Sequence, residues 1–166
     1  QKLLQLCEDF WIAQGYKKTS IKALCSEAKI SIGTFYVLFA TKEQLFLETA
    51  QTIQSRLTER FKETVLQTPN RMGLSKALKK LAREFDHNPF LYDVNSVDFR
   101  AFVTKLSTEE IETIKFESMS FFKEVCQIVN LQPVIDDATA FGVLSTLLSS
   151  IATKKTIEIG RASCRE

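Results

Sequence analysis

The sequence lacks the cysteine and histidine patterns that build metal sites and disulfide frameworks. Its cysteines, Cys7, Cys25, Cys126 and Cys164, are widely spaced without a CxxC pair, and His87 is its one histidine. Three of these cysteines occupy positions where a helix would place a small apolar residue. We therefore expect reduced thiols in a cytoplasmic protein, and we predict no metal site and no bound cofactor.

Long apolar runs and catalytic motifs are also missing. No stretch approaches the roughly 20 apolar residues of a membrane span, and residues 1–14 alternate apolar and charged side chains, unlike a signal peptide. There is no phosphate loop, no HExxH and no cysteine–histidine pair at a readable spacing. The sequence therefore argues against a membrane protein and against an enzyme.

What the sequence does contain is helical periodicity. The 166 residues are 45% hydrophobic, enough for one or two small domains with a core. Apolar residues recur at helical spacing in successive segments, and no segment alternates for long like a strand. We predict an all-α protein with a three-helix N-terminal domain (1–46) and a helical bundle (47–155) whose last helix has Pro133 in its first turn.

The final residues, 156–166, show no helical stripe. We expect them to form an irregular tail. No initiator methionine and no basic arm precede the first predicted helix. We therefore expect a truncated chain, or a C-terminus that is not native to the gene.

The stretch from Thr19 to Lys42 has the pattern of two short helices joined by a tight turn. It follows a predicted helix that ends at Gly15. Thr19 or Ser20 can cap the first helix of the pair, and Ser31 can cap the second, which runs to Phe39. The second helix should bury Phe35 and Phe39 and leave Ile32, Thr34 and Tyr36 outward, and Thr41 can cap the helix after it. The pair has the helix-turn-helix layout, whose second helix enters the major groove of DNA. Spacing alone fits an ordinary αα-hairpin in a helical bundle equally well.

Charge is concentrated on the same stretch. From Gly15 to Lys42 there are five lysines and one acidic residue, a net charge of +4, while the rest of the chain sums to about −2. Lysines favour DNA because they release condensed counterions from its phosphates. Charge runs are more often plain solvated faces, so this excess adds only moderate support for DNA binding.

Fixed spacings over residues 1–46 carry a family resemblance. In order, the chain has Gly15-Tyr16, Thr19-Ser20, Ile21, Ala28, Ser31, Gly33-Thr34-Phe35-Tyr36, Phe39 and Lys42-Glu43-Gln44-Leu45-Phe46. This pattern resembles the TetR family (TetR/AcrR-like) of bacterial transcriptional regulators. It departs from the family at Lys29, where glycine is usual, and at Leu38, where many members have a histidine that contacts phosphate.

The resemblance implies that the second helix of the pair reads DNA. Ile32 and Thr34 would contact bases, and the start of the helix would lie in the groove. Thr19, Tyr36 and Lys42 would hold phosphates. The expected DNA-contacting residues are Thr19, Ser31, Ile32, Gly33, Thr34, Tyr36 and Lys42, with Lys17, Lys18 and Lys22 as weaker candidates.

Periodicity places the fourth to seventh predicted helices at about 41–67, 72–86, 92–106 and 107–129. The resemblance also implies an inducer pocket enclosed by these four helices, and a homodimer formed through the last two helices of the chain. The many phenylalanines of this region suit an apolar or aromatic small molecule, although core packing explains most of them. The candidate ligand residues are His87, Tyr92, Phe99, Phe102 and Phe122.

The resulting prediction is a DNA-binding repressor that such a molecule releases from a palindromic operator. The alternative is a helical small-molecule-binding or adaptor protein without sequence-specific DNA binding.

Overall fold

The computed structural model describes residues 1–163, excluding the side chains of residues 89, 152 and 154–163. Within that range the chain forms helices and connecting turns and no strand, as an all-α protein should. The helices are α1 (Lys2–Lys18), α2 (Ile21–Ala28), α3 (Ile32–Leu38), α4 (Lys42–Leu66), α5 (Arg71–His87), α6 (Pro89–Tyr92), α7 (Val97–Val103), α8 (Thr108–Ile128) and α9 (Asp137–Ser163). None of these helices is long and apolar enough to cross a membrane.

Helix α1 is interrupted where the sequence predicted that it ends. Gly15 has φ 81° and ψ 175°, which breaks the helix before a last short turn at 16–18. That positive φ suits glycine, because it lacks a Cβ. The break redirects the chain into α2, so the glycine positions the helix pair that follows.

The helix pair forms with the predicted caps. The hydroxyl of Ser20 accepts a hydrogen bond from the amide of Ala23, and that of Ser31 accepts one from Thr34. Lys29 ends α2 in the left-handed region at φ 58°, where the related family usually has glycine. A non-glycine residue there costs about 1–2 kcal/mol, which the turn accommodates. Helices α1–α3 are called the head below.

The head has no core of its own. Trp11, which is fully buried, packs on Phe46 of α4 and on Phe102 of α7, with ring centroids 4.7 and 5.3 Å apart. Its indole N–H finds no acceptor among the described residues. An ion pair between Glu8 and Arg56 also joins α1 to α4. The apolar core is therefore continuous across residue 46, and the division between two domains at that residue stays a prediction.

Two predicted elements after residue 87 differ from the structure. The sixth predicted helix, between Tyr92 and Leu106, is shorter than expected, because only α7 lies within it and the short helix α6 precedes it. They are separated by turns at Asp93, whose carboxylate accepts hydrogen bonds from Asn95 and Thr153. Pro133 was wrongly placed in a first helical turn. The last helix begins at Asp137, where Asp136 caps it by accepting the amide of Thr139.

The expected irregular tail is wrong as far as residue 163, because α9 continues to Ser163. Once a helix is nucleated, each further residue adds a hydrogen bond at little cost, and no proline or glycine pair interrupts this segment. Residues 164–166, including Cys164, lie outside the described residues.

Candidate nucleic-acid interface and ligand cavity

Side-chain hydrogen bonds cap the start of α3. The hydroxyl of Ser31 accepts from the Thr34 amide at 2.9 Å and lies 2.9 Å from the Thr34 hydroxyl. Both residues are exposed. Gly33, between them, is also exposed, and an added Cβ would only make ordinary contact with the Ser31 hydroxyl at 3.6 Å. The glycine thus leaves a smooth surface at the helix start, where unpaired amides favour an anion such as phosphate.

The outer face of α3 is apolar and unusually exposed. Phe35 anchors the helix and is fully buried, while Ile32 and Tyr36 are 48% and 54% exposed. This matches the predicted orientation of all three residues. An apolar side chain in solvent is suited to contact thymine methyl groups in a major groove.

Val37 is the residue that sequence reasoning missed. It is 85% exposed, more than any other apolar side chain of α3. Because it follows Thr34 by three residues and Gly33 by four, it shares their face, directly opposite the buried one. The helical spacing from Phe35 and Phe39 would have found it.

Two of the predicted phosphate contacts are occupied within the protein. Thr19 is 1% exposed, and its hydroxyl donates to the carbonyl of Gly15 at 2.8 Å. A phosphate contact by this side chain is therefore excluded, because a buried and satisfied hydroxyl cannot reach DNA.

Lys42 is half-buried. Its ammonium donates to the carbonyl oxygen of Tyr16 at 2.6 Å and lies 3.9 Å from the centre of the Tyr16 ring. Burial lowers the pKa of Lys42, against the opposing effect of Glu43 and Asp98. In this arrangement Lys42 faces inward, so its role on phosphate stays a prediction.

Other cations on the head are free to meet phosphate. Lys17, Lys18, Lys22 and Lys29 are all exposed. The residues ranked as weaker candidates are therefore better placed for the backbone of DNA than Thr19 is. Both the lysines and the outer face of α3 are therefore exposed on the head.

A large apolar cavity lies in the other part of the chain. It has a volume of about 450 Å³ and is lined by α4, α5, α8, α9 and the loop before α9. Among the described residues that line it, none is charged. Its apolar walls include Leu57, Phe61, Leu78, Leu81, Phe122 and Leu144.

A few polar groups interrupt these walls. Gln54 donates to the hydroxyl of Ser118 at 3.3 Å on one side, and Ser145 lies on the other. Cys126 also faces the cavity, and burial raises the pKa of its thiol. Such a cavity suits a mostly apolar molecule with one or two hydrogen-bonding groups.

Only one of the five predicted ligand residues, Phe122, lines this cavity. Phe99 and Phe102 pack on Trp11 in the core that joins α7 to the head. The ring of Tyr92 stacks on Phe85 with centroids 4.4 Å apart, and burial raises the pKa of its hydroxyl.

His87 is exposed, and its Nδ1 lies 2.6 Å from the carbonyl of Arg83. The placement of His87, Tyr92, Phe99 and Phe102 at this cavity was therefore wrong. The cavity is lined by α9 and not by α6 or α7, which pack on α1.

Comparison with known proteins agrees with the geometry of the head. Residues 7–49 match the family described as bacterial regulatory proteins, tetR family. The head therefore resembles the DNA-binding part of TetR-family regulators. No curated protein matches it in sequence. The resemblance seen in residues 1–46 is thus confirmed over most of its length.

The fold of the chain is similar to that of a solved regulator. It matches the transcriptional regulator FadR from Bacillus subtilis, whose crystal structure is in complex with stearoyl-CoA. The identity is 14% and the TM-score 0.61, and the match covers 96% of this chain and 88% of that chain. At this identity the likeness concerns the fold, which is that of a helix-turn-helix head on a helical bundle.

Proposed function

We propose that the protein is a transcriptional repressor that binds a palindromic operator as a homodimer and leaves it when an apolar molecule fills the cavity. The observation that carries the proposal is that one helix, α4, connects the DNA-binding head to the cavity. The N-terminus of α4 follows the recognition helix α3, and its middle supplies Leu57 and Phe61 to the cavity wall.

The DNA-binding half of the proposal rests on exposure and charge. Ser31, Ile32, Gly33, Thr34 and Tyr36 are exposed on α3, and Val37 joins them. The exposed lysines of the head supply the cationic contribution that DNA affinity needs. We assign base contacts to Ile32, Thr34 and Val37, and backbone contacts to Tyr36 and the exposed lysines.

The ligand half rests on the cavity. A volume of about 450 Å³ lined by uncharged residues favours a long acyl chain or an aromatic molecule over a charged metabolite. The similar structure of FadR holds stearoyl-CoA, which supports an acyl chain as the first candidate. Because a ligand in this cavity contacts α4, its binding can shift the head that α4 carries.

The homodimer rests on exposed apolar side chains near the C-terminal helices. Val143 and Leu147 of α9 are 53% and 62% exposed, and Phe116 of α8 is 73% exposed. Gly142 has open space at its missing Cβ, so another helix can approach closely there. A two-fold partner would cover this surface and would present two recognition helices about one turn of DNA apart.

The experiment is an operator titration followed by a ligand titration. An operator is selected from random DNA with the full chain, and its affinity is measured by fluorescence anisotropy at several salt concentrations. We expect a steep salt dependence and a sequence-specific affinity that stearoyl-CoA or palmitate lowers. By linkage, operator DNA must lower the affinity for that probe by the same factor.

Two results would contradict the proposal. Binding without sequence preference would favour the alternative, an adaptor that does not read DNA sequence. If neither acyl chains nor aromatic probes change sequence-specific binding, the ligand-binding part of the proposal is contradicted.

A further inference from the structure

The break in α1 is held by a carboxylate from another part of the chain. After Gly15 interrupts the helix, the amides of Tyr16 and Lys17 point at Asp98 in the first turn of α7. The Tyr16 amide donates to Oδ2 at 2.6 Å, and the Lys17 amide donates to Oδ1 at 2.9 Å. Both oxygens of one side chain are therefore used to fix the last turn of α1.

The same turn is held from α4. Lys42 donates to the carbonyl of Tyr16, and the Tyr16 hydroxyl hydrogen-bonds to the carboxylate of Glu43. The peptide group of Tyr16 thus has its N–H bound by α7 and its carbonyl bound by α4. Tyr16 is therefore the residue of the head whose backbone is hydrogen-bonded to both α4 and α7.

Gly15 is required here for a second reason besides its positive φ. A Cβ at this position would lie 2.5 Å from Oδ2 of Asp98 and 2.8 Å from its carboxyl carbon. Backbone and carboxylate approach so closely that no side chain fits between them. The glycine and the aspartate are therefore complementary.

The ring contacts between α1 and α7 are apolar, and they do not define an angle between the two helices. Trp11 packs against the rings of Phe99 and Phe102, and apolar contact of this kind is non-directional, so it tolerates small rotations. Two hydrogen bonds from fixed backbone amides to one carboxylate define an angle as well as a distance. Asp98 is the group that can set how the head is turned.

We propose that Asp98 is a positioning residue for DNA recognition: through Tyr16 and Lys17 it fixes the orientation in which the head presents α3. Asp98 contacts neither the α3 face nor the cavity. It acts through the last turn of α1, from which α2 and α3 continue. The inference rests on the DNA binding proposed above, and its test is arranged so that the two can fail separately.

The test compares Asp98→Ala with Ser96→Ala in the full chain. Ser96 caps the same helix by accepting the Phe99 amide at 3.0 Å, but it makes no hydrogen bond to the head. Both variants weaken α7, and only Asp98→Ala releases the amides of Tyr16 and Lys17. Three properties are measured at a temperature where circular dichroism shows both variants folded: operator affinity, exchange of those two amides, and emission from Trp11.

We expect Asp98→Ala to weaken operator binding by about tenfold or more, because charge-assisted hydrogen bonds are the strong ones. Exchange of the Tyr16 and Lys17 amides should accelerate by a similar factor, and the emission of Trp11, the single tryptophan, should shift. Ser96→Ala should change operator affinity by less than about twofold, whatever its effect on Tm.

Gly15→Ala provides an independent variant. Its methyl group would displace the Asp98 carboxylate, so it should also weaken operator binding. In the Asp98→Ala background the same change should cost clearly less, because the clash is gone and only the unfavourable φ remains. Such non-additivity is expected of residues in direct contact. Asp98→Asn, which keeps one acceptor, should fall between wild type and Asp98→Ala, and it replaces the alanine variant if that does not fold.

Several results would overturn the inference. One is unchanged exchange of both amides in Asp98→Ala or Asp98→Asn. Another is an operator affinity that follows Tm equally in Asp98→Ala and Ser96→Ala. If the wild-type chain binds no operator, the proposed function fails, and the amide exchange still decides whether Asp98 holds the head.

Discussion

The ammonium of Lys42 lies 2.6 Å from the carbonyl oxygen of Tyr16 and above the face of the Tyr16 ring. The first residue of α4 is thereby hydrogen-bonded to the last turn of α1, and its side chain faces inward. A cation that satisfies a helix-terminal carbonyl contributes to the stability of the head. This relationship leads to the first prediction.

We expect Lys42→Ala to lower the free energy of unfolding by about 1–2 kcal/mol, because a hydrogen bond from a charged donor is lost. Operator affinity should fall with little change in the dependence of log K on log salt. Lys22→Ala should reduce that slope by about 0.9, because it removes one exposed phosphate partner. Urea unfolding and anisotropy titrations over salt measure both effects. If Lys42→Ala flattens the slope as much as Lys22→Ala does, Lys42 contacts phosphate directly.

Val37 provides a test of base reading. We expect Val37→Ala to cost about 1 kcal/mol of specific affinity, since it removes apolar surface that would be buried against a base. Its salt slope and its affinity for random DNA should stay unchanged. Competition between the operator and single-base variants should show relaxed preference at one base pair of each half-site. Uniform weakening over all sequences would show that Val37 does not read a base.

Phe122 and Phe99 form a matched pair for the ligand site. Both were predicted to contact ligand, and the structure places only Phe122 at the cavity. We expect Phe122→Ala to weaken binding of an acyl probe, measured by calorimetry. Phe99→Ala should leave probe affinity within about twofold, while lowering the free energy of unfolding by about 2 kcal/mol through lost contact with Trp11. Equal loss of probe affinity in both variants would contradict the assignment of the cavity as the ligand site.

Cys126 makes ligand binding visible by chemical modification. Its thiol is half-buried at the cavity, whereas the pKa of Cys7 is raised by burial to about 12. The thiolate is the reactive form. At pH 8 we therefore expect N-ethylmaleimide to modify Cys126 slowly in the native chain and to spare Cys7.

A bound acyl probe should slow the modification of Cys126 further, as measured by peptide mass spectrometry. Cys7 should react only in urea, and its protection in the native chain serves as the internal control for folding. Modification of Cys126 at the same rate with and without a saturating probe would place the probe elsewhere.

Leu147 tests the dimer. We expect Leu147→Glu to give a monomer in sedimentation equilibrium, because a charge buried in an apolar interface is costly unless it is paired. Operator affinity should then fall steeply, since one head has only half of the contacts. Met72→Glu is the control, because Met72 is 75% exposed at the start of α5 and is not one of the residues of the proposed interface. A dimeric Leu147→Glu variant would exclude this face as the interface.

The head could be predicted from the sequence because its signals are local. Caps at Ser20, Ser31 and Thr41, the left-handed Lys29 and the buried Phe35 all depend on neighbours within a few residues. A short-range pattern of this kind is read directly from the chain. The outward orientation of Ile32 and Tyr36 followed from the same periodicity.

The ligand residues could not be predicted, because periodicity shows that a side chain is buried but not what it is buried against. Phe99, Phe102 and Phe122 have similar patterns in the sequence. In the fold, the first two fill the junction with Trp11, and the third faces a cavity. Thr19 was misassigned for the same reason, since its burial depends on the path of the chain after Gly15.

The sequence by itself determined the helix-turn-helix head, its basic charge and the all-helical class, because hydrogen bonds and caps within a few residues specify them. Only the tertiary structure decided that α9 lines the cavity, that α6 and α7 pack on the head, and that Asp98 faces the amides after Gly15. Those contacts join residues far apart in the chain. Their geometry depends on how whole helices pack, which no local pattern encodes.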